Sequence, residues 1–120
     1  MARLASALAI PLAAAASLLS VQAYAADGAQ LFQLQCKFCH QDKSSVAGPS
    51  LAAVSGRKIA SLADFSYSPA LKAKTGTWTD AHLDAFLTAP AKFAPGTKMP
   101  MSVAAAPDRA ALVTYLKTLK

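Results

Sequence analysis

At 120 residues the chain suits one domain, and its formal charge of +6, with scattered lysines and no glutamate, points toward acidic partners or anionic surfaces. No basic run interleaved with aromatics is present, which argues against nucleic acid as a partner. The hydrophobic fraction of 54% is high for a soluble domain, and much of the excess lies between Met1 and Ala25.

That first stretch has the order of a secretory leader. Arg3 gives a short positive start, Leu4 to Leu19 is apolar, and Ala23-Tyr24-Ala25 offers small residues at a cleavage site. A retained membrane anchor is the alternative, but Pro11 and Ser17 interrupt the run. Cleavage after Ala25 would leave residues 26–120 as the mature domain and send it to the periplasm, where nucleic acid is not a partner.

Asp27 is placed to cap a helix running to about Phe38, with Leu31, Phe32 and Leu34 as apolar contacts. Gly28 near its start would let another backbone come close. Gln41 to Lys58 reads as loop, with turn signals at Gly48-Pro49 and Ser55-Gly56. Ser68-Pro69 opens a short helix through Lys74, stopped by Thr75-Gly76-Thr77. Thr79 or Asp80 starts a third helix, with Leu83, Phe86 and Leu87 on one face, and Pro90 ends it. Ala91 to Ala106 is expected to be irregular. Pro107-Asp108 begins the last helix, striped by Leu112, Val113, Tyr115, Leu116 and Leu119. No alternating strand pattern is evident. The chain is therefore expected to be all-α, with short helices and long loops. Loops of that length in a small domain usually wrap a bound group or carry function.

Cys36-Lys37-Phe38-Cys39-His40 supplies the chemistry. C-x-x-C-H is the spacing of c-type haem attachment. Two thiols three residues apart share a helix face. They can reach the two vinyl groups on one edge of a porphyrin, and the next residue, His40, can then present its imidazole to the iron. Three other uses of such residues compete. A thioredoxin-like site needs a βαβ context, which is not visible. A zinc site lacks a second ligand pair, since only His82 remains. A disulfide between Cys36 and Cys39 would close too short a loop to stabilise much chain, and would leave His40 without purpose.

Haem iron held by one histidine takes a second ligand, water or an open position. The mature chain offers His82, Met99 and Met101. Met99 closes the turn-rich run Pro95-Gly96-Thr97-Lys98-Met99, a loop able to fold over the far haem face. Pro100 would turn Met101 in a different direction. Met99 is the preferred ligand, with Met101 its rival. His82 is expected on the exposed side of the third helix.

From Gly28 to Leu119 the sequence resembles class I cytochrome c. The shared features run in order: Gly28 and Phe32; Cys36, Cys39 and His40; Gly48-Pro49-Ser50-Leu51; Gly56-Arg57; Tyr67-Ser68; Trp78; Leu83; Pro90; Pro95 to Met99; and Leu112 to Leu116. The resemblance implies the cytochrome c fold around one haem c bound covalently through Cys36 and Cys39. It implies that Gly28 and Phe32 cross the last helix at Leu112, Tyr115 and Leu116. It implies that the Pro49 carbonyl orients His40, and that Arg57, Tyr67, Trp78 and Thr97 hold the haem propionates. Taken with the leader and the positive charge, the chain is expected to be a periplasmic one-electron carrier, a monomer and not an enzyme, whose redox partners are acidic where they dock. Lys37, Lys92 and Lys98 would steer them. Two departures stand out. Phe86 occupies a position where many relatives carry tyrosine, and Pro100-Met101-Ser102-Val103 replaces a more familiar aromatic-containing stretch. Two other functions remain open at this stage: a haem c subunit of a larger dehydrogenase or oxidase complex, and an enzyme or sensor with an open haem position.

Overall fold

The computed structural model describes residues 27–120. The expected leader, Met1 to Ala25, lies outside the described residues. Five helices follow one another: α1 (Gly28–Gln35), α2 (Pro69–Lys72), α3 (Asp80–Thr88), α4 (Pro90–Phe93) and α5 (Ala106–Leu116). Among the described residues extended pairing is limited to two isolated bridges, Ser45 with Gly48 and Lys58 with Thr77.

Local chemistry explains where most helices begin. The Asp27 carboxylate accepts from Ala29 N–H, the Ser68 hydroxyl from Leu71 N–H, and the Thr79 hydroxyl from His82 N–H. Each satisfies a backbone donor that the first helical turn leaves without a partner. Proline follows the cap of α2 directly, where its missing N–H costs nothing.

Some boundaries differ from expectation. α1 stops at Gln35, before the expected Phe38, because Phe32 O accepts from both Cys36 N–H and Lys37 N–H, each at 2.9 Å, and the helical ladder unwinds there. α2 ends at Lys72 rather than Lys74. The stretch after Pro90 is not wholly irregular: Pro90 ends α3 and then serves as the first residue of α4. α5 starts at Ala106, one residue ahead of Pro107, without a side-chain cap.

The core forms where α1, α3 and α5 meet. Leu31 and Phe32 of α1, Leu83 and Leu87 of α3, and Leu112, Val113 and Leu116 of α5 are buried together. Each such residue contributes about 1.5–3 kcal/mol by leaving water. At the α1–α5 crossing Gly28 lies directly against the backbone of α5; a methyl group there would overlap the Ala111 carbonyl and come within 3.1 Å of Tyr115 Cβ. The rings of Phe32 and Tyr115 pack beside it with centroids 5.1 Å apart. Among the described residues two ion pairs tie α3 to the last helix: Asp84 to Arg109 within α5, and Asp80 to Lys117, the residue that caps its C-terminus. Loop residues and inward side chains of α3 and α5 together line a cavity.

Candidate functional site

The cavity has a volume of about 330 Å³ and is lined mostly by apolar side chains, among them Leu51, Val54, Leu71, Leu83, Phe86 and Leu112. Cys36, Cys39, His40, Pro49, Arg57, Tyr67, Trp78, Thr97 and Met99 all line it too. Every expected site residue therefore faces one space, although those residues span most of the described chain.

The cysteines do not sit on the helix itself. They occupy a tight turn after α1, in which Cys36 O accepts from Cys39 N–H at 3.2 Å and from His40 N–H at 2.9 Å. The turn keeps the three-residue spacing compact and brings both thiols and the imidazole to the cavity. Both cysteines are free and half-buried. Burial pushes the Cys36 thiol up, and neighbouring Cys39 adds to the effect.

His40 is held from behind. Its Nδ1–H donates to the Pro49 carbonyl at 2.9 Å. Burial lowers the imidazole's proton affinity more than this hydrogen bond raises it, so the neutral ring is favoured. With the proton on Nδ1, the lone pair on Nε2 is free to bind a metal. Gly48 makes the approach possible: a Cβ there would lie 2.8 Å from Cys39 O and 3.1 Å from His40 Nδ1. In the sequence Gly48 reads as a turn signal and as part of the shared Gly48-Pro49-Ser50-Leu51 run; its packing role depends on a ring eight residues away.

Met99 and Met101 both line the cavity, but differently. Met99 is half-buried and packs against the core, whereas Met101 is 38% exposed. The loop before Met99 turns at Gly96, whose φ of +84° suits glycine, and Thr97 N–H closes it onto Ala94 O at 2.9 Å. His82 does not line the cavity. It is half-buried rather than fully on the exposed side of α3, because its Nδ1–H donates to Thr77 O at 2.7 Å and its ring meets the edge of Phe93.

Arg57 is the polar oddity. Nη1 donates to Ala52 O at 2.9 Å and Nη2 to Ser50 O at 3.1 Å, but Nε is buried without a partner. Burial lowers the guanidinium's pKa, with Tyr67 and Asp64 opposing, yet an arginine stays charged in a protein. A cationic donor left unpaired beside an apolar cavity calls for an anionic acceptor. Tyr67 and Trp78 are buried nearby in the cavity wall, and Trp78 packs on Phe86 and Phe93 at 5.2 and 5.7 Å.

Among the described residues, no three His, Cys, Asp or Glu side chains gather to hold a metal by themselves, which weakens the zinc alternative. The absence of strands among them removes the βαβ context of a thioredoxin-like site. The cytochrome c family profile matches residues 25–120.

The chain belongs to the cytochrome c family.

Its similarity extends to named relatives. It is 42% identical over 94 residues to the cytochrome c-type cyt cy of Rhodobacter capsulatus, covering 77% of this chain and 47% of that protein. It is 42% identical over 97 residues to the cytochrome c of Tetrahymena pyriformis, covering 79% and 88% of the two chains. Cytochrome cH from Methylobacterium extorquens superposes with a TM-score of 0.71 at 39% identity, covering 78% of this chain and 97% of that one. The matched region spans about half of several relatives, 56% of the cytochrome c homolog of Rickettsia bellii among them. The fold of this cytochrome is thus the all-α cytochrome c fold.

The cytochrome c family carries one covalent haem c. The residues of this cytochrome fit that group. A mostly apolar cavity suits the porphyrin face, paired thiols and a neutral imidazole stand at its wall, and the unpartnered Arg57 Nε suits an acidic side arm. Phe86 lines the same cavity without a hydroxyl to offer.

The lysines expected to steer partners differ in their surroundings. Lys37 pairs with Asp42 at 3.3 Å. Lys98 Nζ donates to Ser66 O at 2.6 Å and lies over the Phe65 ring, so it ties two loops together. Lys92 is exposed on α4 and does not line the cavity.

Proposed function

We propose that this cytochrome is a periplasmic one-electron carrier, its haem c fastened through Cys36 and Cys39 and ligated by His40 and Met99. The observation that supports this most is the shared cavity: the C-x-x-C-H turn, a neutral imidazole fixed by Pro49, and a half-buried Met99 all line it. When bound there, haem supplies one iron that can gain and lose a single electron. His40 and Met99 together would hold that iron, raise its potential and leave no position for a substrate. Arg57, Tyr67, Trp78 and Thr97 would hold the propionates.

The test uses the matured ferric protein. Met99→Leu should abolish the sulfur-to-iron band at the red end of the spectrum and open the ferrous form to carbon monoxide. If Met99→Leu keeps the band and Met101→Leu loses it, the ligand is Met101. Strong carbon monoxide binding by the unaltered ferrous protein would instead favour an open-site enzyme or sensor. The mass of the mature chain tests cleavage after Ala25, and fractionation tests the periplasmic location.

Acidic redox partners would dock over the cavity mouth as a transient encounter with a monomer. Phe38 lines the cavity and is 87% exposed, so it offers an apolar contact beside Lys37. A second reading, a haem c subunit fixed to a larger dehydrogenase or oxidase, draws on the same exposure, since Leu34 and Val46 are also apolar and open to solvent. A partner that stays bound through purification would favour it.

A further inference from the structure

The segment from Pro100 to Ala105 follows Met99 directly and has no regular structure. Its backbone is nevertheless gripped from two sides at one residue. Val103 N–H donates to Leu87 O of α3 at 2.8 Å. Val103 O accepts from Arg109 Nη1 of α5 at 3.0 Å, and the same nitrogen donates to Ala104 O at 2.8 Å. Arg109 Nε donates in turn to Asp84 Oδ1 of α3 at 2.7 Å. The Arg109 side chain is only 12% exposed, and the Val103 side chain is buried. Charge-assisted hydrogen bonds from a fork-shaped, largely desolvated guanidinium are strong and directional.

We propose that Arg109, aimed by Asp84, is a positioning residue for Met99. It fixes the chain just beyond the methionine and so limits how often the thioether leaves the cavity. This rests on the reading of Met99 as the iron ligand. Met99 stands four residues before Val103, and the intervening Pro100 stiffens the link, so motion freed at Val103 reaches Met99 with little slack.

The other α3–α5 ion pair provides an internal comparison. Asp80 of α3 pairs with Lys117, the C-cap residue of α5, but both are substantially exposed and Lys117 makes no contact of this kind with the segment. A purely structural role for helix pairing would make the two ion pairs alike, apart from strength. A positioning role would make only Arg109 affect ligand lability.

The experiment titrates imidazole into matured ferric protein while following the sulfur-to-iron band. Apparent imidazole affinity scales with the fraction of molecules in which the sixth position is open. Arg109→Gln should tighten imidazole binding by about tenfold, the scale of one lost charge-assisted hydrogen bond. Asp84→Asn should act in the same direction but less, and Arg109→Lys should fall between, because lysine keeps the charge without the fork. Lys117→Gln should leave the titration unchanged. Arg109→Gln and Asp84→Asn both matching the unaltered protein would overturn the proposal, as would Lys117→Gln shifting the titration as far as they do. Should Arg109→Gln fail to mature, Asp84→Asn against Lys117→Gln decides by the same criterion. An unaltered protein without the band removes Met99 as ligand and the proposal with it; a band present but unmoved by the variants removes the proposal alone.

Discussion

The Nδ1–H of His40 donates to the carbonyl oxygen of Pro49 across 2.9 Å, and the glycine just before that proline packs so close that a Cβ on it would lie 3.1 Å from the same nitrogen. A hydrogen bond fixes the ring's tautomer, and the missing side chain at Gly48 permits the distance. Adding a methyl at Gly48 would force it against Cys39 O, which is backbone and cannot rotate away. Gly48→Ala should therefore lower stability by about 1–3 kcal/mol, read from the urea midpoint of the matured protein. An unchanged midpoint would mean the loop can shift without cost.

Gly28 gives a sign test at the α1–α5 crossing. Alanine is favoured over glycine within a helix by about 1 kcal/mol, so Gly28→Ala would stabilise an isolated α1. Here the added methyl overlaps the Ala111 carbonyl, and overpacking of about 1–3 kcal/mol should win. Thermal unfolding should show a net loss of stability. A gain would show that the two helices can move apart freely.

Arg57 carries a buried Nε without a protein partner. If a haem propionate completes it, Arg57→Gln should cost about 1.5–3 kcal/mol in the holo protein, the range for hydrogen bonds to charged groups. It should also lower the midpoint potential, because removing a positive charge near the iron favours the more positive ferric state. A redox titration identical to that of the unaltered protein would place Arg57 outside the haem's electrostatic reach.

Phe86 lines the cavity and packs on Trp78. Phe86→Tyr introduces a hydroxyl into the cavity wall, and if Met99 ligates the iron that hydroxyl is placed to donate to its sulfur. A donor on the thioether draws electron density from it and weakens its hold on ferric iron more than on ferrous. The midpoint potential should rise. Constancy within measurement error would show that the new hydroxyl does not reach the sulfur.

Electron transfer to an acidic partner should slow steeply as salt is added, since screening shortens the range of attraction. Lys92→Gln should reduce the rate at low salt. Lys98→Gln should have a second effect, because Lys98 Nζ is bonded to Ser66 O and its loss frees a loop beside the cavity. A rate that ignores ionic strength would dismiss electrostatic steering and leave the exposed Phe38 as the better candidate for recognition.

Short-range patterns carried much of this molecule's plan. The C-x-x-C-H run named the chemistry, Asp27, Ser68 and Thr79 marked helix starts, and the leucine spacing of α3 and α5 marked the buried faces. These signals act within one or two turns of chain, so they can be read without knowing what lies opposite. Helix ends were harder. α1 stopped early because two amides compete for Phe32 O, and α4 formed where proline alone suggested a stop.

What tertiary structure alone decided are the meetings between distant residues: Gly48 against His40, Arg57 with its stranded Nε, Lys98 tied to Ser66, and Val103 held between Leu87 and Arg109. Such contacts have no local period. They exist because the packing of α1, α3 and α5 sets where each loop must return, and a side chain's partner is fixed by that closure rather than by its neighbours in sequence.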